Sequence, residues 1–237
     1  MTLTGDLIIP AGKILENNST ITNGKTITNN SGGTITNGKT ITNNGRITNN
    51  SGGTITNYSG GTITNNEDGT ITNNGTIYNN GTITNKEDGT IANGGTITNE
   101  GTITNGGTIT NKGTITNTEY GQIANKGTIT NNKDGKIDNN GTITNNNIGT
   151  ITNNEDGTIT NNGTITNKGI IFNINLGTIT NNGAITNNEI ISNHGLITNT
   201  ATIYIANKDG VITNAGRITN EDGEINGEIA GNVIVQL

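Results

Sequence analysis

Isoleucine recurs at fixed intervals along most of this chain. From Ile21 to Ile197, the step from one key isoleucine to the next is always six or eight positions and never odd. Side chains alternate between the two faces of an extended strand, so an even spacing keeps every isoleucine on the same face. The pattern therefore predicts short β-strands that each bury one isoleucine. The spacing of an amphipathic helix is absent.

The residues around each isoleucine favour the same structure. Eighteen of the 27 units read Thr-Ile-Thr, which is rich in β-branched residues, and the glycines and asparagines of the repeat oppose a helix. Asn-Gly pairs such as Asn74-Gly75 are also typical of hairpin turns, so a meander of hairpins is the alternative. A meander of such short strands would leave little for each isoleucine to pack against. Coiling the chain into a solenoid instead stacks isoleucine on isoleucine and pairs each strand with the coils above and below.

The size of one coil follows from the spacing taken three units at a time. Every third key isoleucine from Ile21 to Ile185 is twenty or twenty-two positions after the one before, as Ile41 and Ile63 show. The sequence thus predicts an all-β fold, a three-sided parallel β-solenoid of about 20 residues per coil. About ten coils at ~4.8 Å each make a rod roughly 50 Å long. We expect a single domain over residues 1–237, with a cap or first coil at 1–20, regular repeats at 21–200, and degenerate coils with a C-terminal cap at 201–237.

Asparagine is the second constant of the repeat. It stands two residues after each of the 27 isoleucines, from Asn23 to Asn199, whereas the neighbouring threonines and glycines are sometimes replaced. Parity places this asparagine on the inner side, at the corner where the chain turns. There its amide donates and accepts hydrogen bonds at the same time, so we predict a ladder of asparagines that satisfies the turn backbone and stacks along the axis. A row of ligand-binding amides is the alternative.

Repeats of the form Gly-Thr-Ile-Thr-Asn, in coils of this size, resemble the filamentous-haemagglutinin-type parallel β-helix repeats of bacterial surface proteins. The opening segment from Leu7 to Leu15 is similar to a first coil of such helices. The resemblance implies a right-handed β-helix that is extracellular or displayed on a surface, often for adhesion. The chain departs from that family in its shorter, more uniform repeats, and we expect it to lack the N-terminal secretion module.

The left-handed hexapeptide helix is the competing fold, because Gly-x-Ile fits its pattern of a small residue followed by an aliphatic one. The second inward aliphatic residue of that pattern is glycine here, and insertions of two residues are frequent. We therefore favour the right-handed coil.

Composition and charge limit the classes of site and of partner that the chain can have. Only 27% of the residues are hydrophobic, 37 are glycine and none is cysteine, which excludes disulfides and thiolate sites. A net charge of −6 argues against nucleic acid as a partner. No apolar run is long enough to cross a bilayer, so we expect no membrane insertion. The first residues have neither the basic nor the apolar region of a signal peptide.

The sequence predicts no catalytic, cofactor or metal site. It contains no phosphate-binding glycine motif and no nucleophile–base pair, so we expect a non-catalytic structural or surface-interaction rod without cofactors. His194 alone does not make a metal site, and we interpret it as a turn residue. Four acidic pairs precede a glycine and are interpreted as solvated turns, although two of them, one coil apart, offer the oxygen ligands that Ca²⁺ prefers. The pairs are Glu67-Asp68, Glu87-Asp88, Glu155-Asp156 and Glu221-Asp222, and the first two are the pairs one coil apart.

Ice binding is the alternative function. Both threonines of Thr-Ile-Thr point outward, and stacked coils tile them into a flat array that resembles the faces of β-solenoid antifreeze proteins. Threonine is also a good outward residue on any parallel strand, and all three faces are similarly enriched, which favours a repeat consensus over one selected face. The candidate ice-contact residues are Thr82, Thr84, Thr102, Thr104, Thr142, Thr144, Thr164 and Thr166.

The C-terminal third breaks the threonine pattern with apolar residues. Ile170, Ile190 and Val211 each precede an inward isoleucine, so parity turns them outward, and each follows the last by one coil length, which stacks them into a stripe. Phe172 lies beside this stripe. An apolar patch often marks a contact site, so we predict self-association or a neighbouring domain there, with a local cap as the alternative. The terminal residues 233–237 add a strand edge that must be covered or paired.

Overall fold

The computed structural model describes residues 1–205, 211–220, 223–227, 229–231 and 234–236. In these residues the chain forms three parallel β-sheets of twelve strands each, and every strand pairs with the third strand before and after it in the chain. Each turn of the chain therefore adds one strand to each sheet, which confirms the three-sided parallel solenoid and excludes the meander of hairpins. The sheets have more strands than the ten coils expected, because residues before Ile21 and after Asn199 also pair. The right-handed direction of the coil stays a prediction.

Sheets A, B and C are defined by their strands. Sheet A contains β1 Thr2–Leu3, β4 Thr20–Asn23, β7 Thr40–Asn43, β10 Thr62–Asn65, β13 Thr82–Asn85, β16 Thr102–Asn105, β19 Gln122–Asn125, β22 Thr142–Asn145, β25 Thr164–Asn167, β28 Ala184–Asn187, β31 Thr202–Ile205 and β34 Glu224–Asn226. Sheet B contains β2 Leu7–Ile9, β5 Thr26–Asn29, β8 Arg46–Asn49, β11 Thr70–Asn73, β14 Thr90–Asn93, β17 Thr108–Asn111, β20 Thr128–Asn131, β23 Thr150–Asn153, β26 Ile170–Asn173, β29 Ile190–Asn193, β32 Val211–Asn214 and β35 Ile229–Gly231. Sheet C contains β3 Ile14–Asn17, β6 Thr34–Asn37, β9 Thr54–Asn57, β12 Thr76–Asn79, β15 Thr96–Asn99, β18 Thr114–Asn117, β21 Lys136–Asn139, β24 Thr158–Asn161, β27 Thr178–Asn181, β30 Leu196–Asn199, β33 Arg217–Asn220 and β36 Ile234–Gln236.

Coils are numbered from the N-terminus, so that coil 1 contains β1, β2 and β3, coil 2 contains β4, β5 and β6, and coil 12 contains β34, β35 and β36. Corners are named after the sheets that they join, as the A–B, B–C and C–A corners.

The core is a stack of isoleucines in register. Ile63 pairs with Ile41 in the coil before and with Ile83 in the coil after, and the same register runs along all three sheets. The key isoleucines from Ile21 to Ile197 are at most 4% exposed. Burial of each one stabilises the fold by roughly 1.5–3 kcal/mol. A narrow apolar space of about 50 Å³ remains along the axis, and isoleucine side chains alone line it.

The asparagines form the predicted ladders. One ladder runs along each sheet, at the C-terminal ends of its strands. The Asn105 side-chain amide donates to the Asn125 Oδ1 at 2.8 Å, to the Gly107 carbonyl at 2.9 Å and to the Thr128 carbonyl at 3.1 Å. Its own Oδ1 accepts a hydrogen bond from the Asn85 amide at 2.8 Å. Asn105 is fully buried, and so are most of the other ladder asparagines. An unpaired buried amide is costly, so the pairing of these side chains indicates a structural role for the ladder.

Corner length varies without disturbing the register. The shorter isoleucine spacing leaves two residues at the corner, and the longer one leaves four, closed by a turn such as Asn66–Gly69, in which the Gly69 N–H donates to the Asn66 carbonyl at 2.9 Å. A Cβ on Gly69 would lie 2.6 Å from the Asn65 Oδ1 and 2.7 Å from the Asn43 carbonyl, so only glycine fits there. Ladder partners are accordingly between 18 and 24 residues apart in sequence.

The ladders stop where the end coils change residue type. Asn29 aligns with Ile9 in coil 1, and the buried Asn29 Oδ1 has no hydrogen-bond partner. At the other end of the rod, Asn187 aligns with Ile205, and its amide donates to the Glu189 and Val211 carbonyls. Coil 1 uses leucine in place of isoleucine, as in the pairing of Leu15 with Ile35. The end coils thus keep the backbone pairing and lose part of the polar ladder.

Candidate functional site

Each strand turns two side chains outward, one before and one after its inward isoleucine. In β10, Ile63 and Asn65 are buried, whereas Thr62 and Thr64 are half-buried and face outward. Because the coils are in register, these positions form two columns on each sheet, parallel to the axis. Any molecule that approaches the side of the rod meets these columns and the corners between them.

The structure places all eight candidate ice-contact threonines on sheet A. Thr82 pairs with Thr102 and Thr84 with Thr104, and Thr142 and Thr144 pair in the same way with Thr164 and Thr166. Gln122 and Ala124 of β19 separate the two groups. The candidates therefore share one face but do not form one continuous array.

Sheet A also carries the longest unbroken run of paired threonines. Both outward columns are threonine in five consecutive coils, and this threonine array consists of Thr20, Thr22, Thr40, Thr42, Thr62, Thr64, Thr82, Thr84, Thr102 and Thr104. On sheet B the run is broken by Arg46 and Ala92, and on sheet C by Tyr78, Lys136 and Asp138. The number of Thr-Ile-Thr units on each face does not show this difference, because it does not record which units are adjacent.

The predicted apolar stripe is in register on sheet B. Ile170 pairs with Ile190, and Ile190 pairs with Val211. Ile190 is 38% exposed and Val211 is 36% exposed, while Ile170 and Phe172 are half-buried. Phe172 lies between Thr152 and Ser192 in the neighbouring column. Of the terminal edge, β36 pairs with β33, whereas Val233 and Leu237 lie outside the described residues.

Three further apolar residues flank the stripe and were missed from the sequence. Ile148 at the A–B corner of coil 8 is 80% exposed, and Leu176 at the B–C corner of coil 9 is 66% exposed. Ile174 stands beside Leu176 and is half-buried. All three replace the polar residues usual at a four-residue corner, so a comparison of corner positions coil by coil would have found them.

The acidic corners are turns. Asp68, Asp88, Asp134 and Asp156 occupy the left-handed region, with φ between 56° and 62°, as expected for aspartate at a tight turn. The Lys133 ammonium lies 3.5 Å from an Asp156 carboxylate oxygen, so one carboxylate of that corner is paired with a lysine of the coil before it. Among the described residues, no three histidine or acidic side chains are grouped so as to hold a metal ion. Glu221 and Asp222 lie outside the described residues.

His194 and the exposed tyrosines lie at or beside corners. His194 is exposed at the B–C corner of coil 10, as predicted for a turn residue. Tyr58, Tyr78 and Tyr120 are 53%, 46% and 79% exposed, and all three lie in or next to the C–A corners of coils 3–6. This edge therefore presents three of the four tyrosines of the chain.

A depression of about 460 Å³ follows the B–C corners of coils 6–9. Its lining mixes both charges with amides and one apolar residue, and includes Lys112, Lys133, Glu155 and Ile174. Within the described parts of the chain, no helix has the length and apolarity needed to cross a membrane.

Fold and surfaces together define a β-solenoid repeat protein with an asparagine ladder inside and variable side chains outside. The haemagglutinin repeat family matches this chain over residues 2–75, 40–147, 122–189 and 172–222. The chain belongs to this family, which confirms the resemblance seen in the Gly-Thr-Ile-Thr-Asn repeats. It is thus an adhesin-like β-solenoid, and its family indicates a surface or extracellular protein.

No curated protein matches the sequence. Among solved structures, the chain is similar to the crystal structure of a TibA fragment whose hyper-glycosylation is catalysed by TibC. The sequences are 21% identical, and the match covers 99% of this chain and 97% of that one, with a TM-score of 0.26. At that TM-score the likeness supports no conclusion about this chain.

Proposed function

We propose that this chain is a non-catalytic rod that presents its outer columns and corners to other surfaces, as an adhesin does. The proposal rests mainly on the contrast between an interior whose residues hardly vary and an exterior whose residues vary widely. Isoleucine and asparagine repeat along the inside, while threonine alternates outside with tyrosine, lysine, acids and large aliphatic residues. Structural demands explain the interior, so the variable exterior is the part free to carry binding.

The membership in the haemagglutinin repeat family supports this proposal. So does the shape of the described coils, because parallel pairing along three sheets makes a stiff support that holds side chains at fixed spacing. Adhesion through such a rod needs no catalytic group, since many weak contacts at fixed spacing combine into a strong attachment.

Bead attachment tests the proposal. Latex beads coated with the full chain are allowed to settle on erythrocytes and on an epithelial monolayer, and retention under flow is compared with that of beads coated with albumin. We expect retention well above the albumin control. Beads with Tyr58→Thr, Tyr78→Thr and Tyr120→Thr, and beads with changes only in the threonine array, then identify the edge or face that binds. Retention no greater than that of albumin beads on both surfaces contradicts the proposal.

Ice binding is a second candidate, and the threonine array of sheet A favours it. Five consecutive coils present two threonines each, about 4.8 Å apart along the axis, as a flat lattice of hydroxyl and methyl groups. Such a lattice can order water at fixed spacing. We therefore expect any thermal hysteresis to disappear in the Thr82→Lys, Thr102→Lys, Thr104→Lys variant, with the melting temperature unchanged. An unmutated chain that shows no hysteresis at high concentration eliminates this candidate.

A further inference from the structure

Outward aliphatic and aromatic residues, some exposed and some half-buried, cluster on sheet B and at its two corners. Seven of them lie within coils 8–11, and this apolar patch consists of Ile148, Ile170, Phe172, Ile174, Leu176, Ile190 and Val211. Corresponding positions of coils 6 and 7 on the same sheet are threonine. Contiguous apolar patches of roughly a few hundred Å² on soluble proteins mark interaction sites.

The patch has the size of the centre of a protein interface. The rectangle that encloses the patch spans four coils at ~4.8 Å and a four-residue strand with its corners, about 20 Å by 20 Å or roughly 400 Å². It also contains Thr150, Thr152, Ser192 and Thr213. A stable interface buries about 800 Å² on each partner, with an apolar centre and a polar rim. The patch therefore supplies the centre, and the threonines and corner side chains around it supply the rim.

The partner that best fits a flat sheet face is another flat sheet face, because sheets pack face to face about 10 Å apart. The patch is complementary to itself in such a packing. Phe172 of β26 is paired with the small Ser192 of β29, so a bulky side chain lies next to a small one in the neighbouring coil. At the A–B corners of the same two coils, an exposed Lys168 is followed by an exposed Glu189.

We propose that two copies of this chain dimerise through the apolar patch. The two-fold axis lies in the interface, parallel to β26 and β29 and midway between them, so the long axes of the rods run in opposite directions. This operation places Phe172 of one copy over Ser192 of the other, and Ile170 over Ile190. It also brings Lys168 of each copy to the corner that carries Glu189 of the other copy. A symmetric interface repeats every contact, so both complementary pairs occur twice.

Sedimentation velocity of the full chain over a wide concentration range gives the first test. The unmutated chain is expected to sediment as a dimer. Restoring the repeat consensus with Ile170→Thr, Phe172→Thr and Ile190→Thr is expected to give a monomer that melts at an unchanged temperature. Tyr78→Thr removes an exposed aromatic residue from sheet C and is the matched control, with no expected change in mass. A monomeric parent chain overturns the proposal and leaves the patch to a partner of different chemistry. A dimer that survives the triple change also overturns it, because the two copies then associate through another surface.

Charge reversal tests the orientation of the two copies. Lys168→Glu alone and Glu189→Lys alone each place like charges opposite one another and are expected to weaken the dimer, whereas the double reversal restores it. A double reversal that leaves the dimer as weak as the single reversals do overturns the proposed axis.

Discussion

Coils 2–6 of sheet A and coils 8–11 of sheet B differ on the outside and agree on the inside. Outside, the first region is the threonine array and the second is the apolar patch. Inside, Ile103 under the array and Ile191 under the patch are 3% and 2% exposed, and both regions have fully buried asparagines in ladder contact. The comparison teaches that this repeat separates the residues that specify the fold from the residues that meet other molecules.

The largest expected effect is the same in both regions. Ile103→Ala and Ile191→Ala each leave a cavity in an equivalent isoleucine stack, and each is expected to cost about 2–5 kcal/mol of unfolding free energy. Chemical denaturation of the two variants beside the parent chain measures the loss. A much smaller loss for one of the two variants would mean that the two interiors are not equivalent.

The ladder gives an intermediate effect. Asn105→Ala and Asn193→Ala each remove a buried amide that donates to two carbonyls and to the next asparagine and accepts from the asparagine before it, so each is expected to cost about 1–3 kcal/mol. Asn193 donates to Asn214 at 2.8 Å and accepts from Asn173 at 2.8 Å, so its contacts match those of Asn105. Thr104→Ala is the outward control, with an expected change within about 0.5 kcal/mol. Losses of equal size for Asn105→Ala and Thr104→Ala, in the same denaturation experiment, would contradict a structural ladder.

The smallest effect on stability comes from exchanging the exteriors. Thr102→Ile with Thr104→Phe transfers the outward pair of β26 to β16. We expect each change to alter the unfolding free energy by no more than about 0.5 kcal/mol, because surface substitutions away from the core and caps are nearly neutral. Binding of a hydrophobic fluorescent dye is expected to increase. A cooperative loss of stability would show that the outward residues also specify the fold.

Much of the fold could be predicted from the sequence because side-chain parity is a local property. The even spacing of Ile21 to Ile197 predicted the three sheets and their register, and the asparagine two residues later predicted the ladder. The ends were harder to predict, since leucine replaces isoleucine at Leu15 and the gap from Ile203 to Ile212 is odd. Both nevertheless lie in register, with Ile35 and Ile191 as the partners of Leu15 and Ile212. The direction of the coil was open because parity is the same for either hand.

The candidate surfaces were predicted in part. The stripe of Ile170, Ile190 and Val211 followed from strand parity, whereas Ile148 and Leu176 lie at corners, where parity does not say which way a side chain points. The three-unit spacing already placed the units of the threonine array on one face, but the array escaped because the faces were compared by their total threonine content and not coil by coil. Local spacing predicts what each strand buries, but only the register identifies which outward residues are neighbours.

Each coil pairs only with the coil before it and the coil after it. This also has a consequence for how the chain folds. A finished coil offers the next segment a ready row of backbone partners, three isoleucine sites and three amides, so growth from either side of a nucleus is a sequence of similar short steps. Each step closes a loop of about 20 residues, and the entropy lost on closure is nearly constant because it grows only slowly with loop length. A longer chain of these repeats would therefore need more such steps, not a more difficult one.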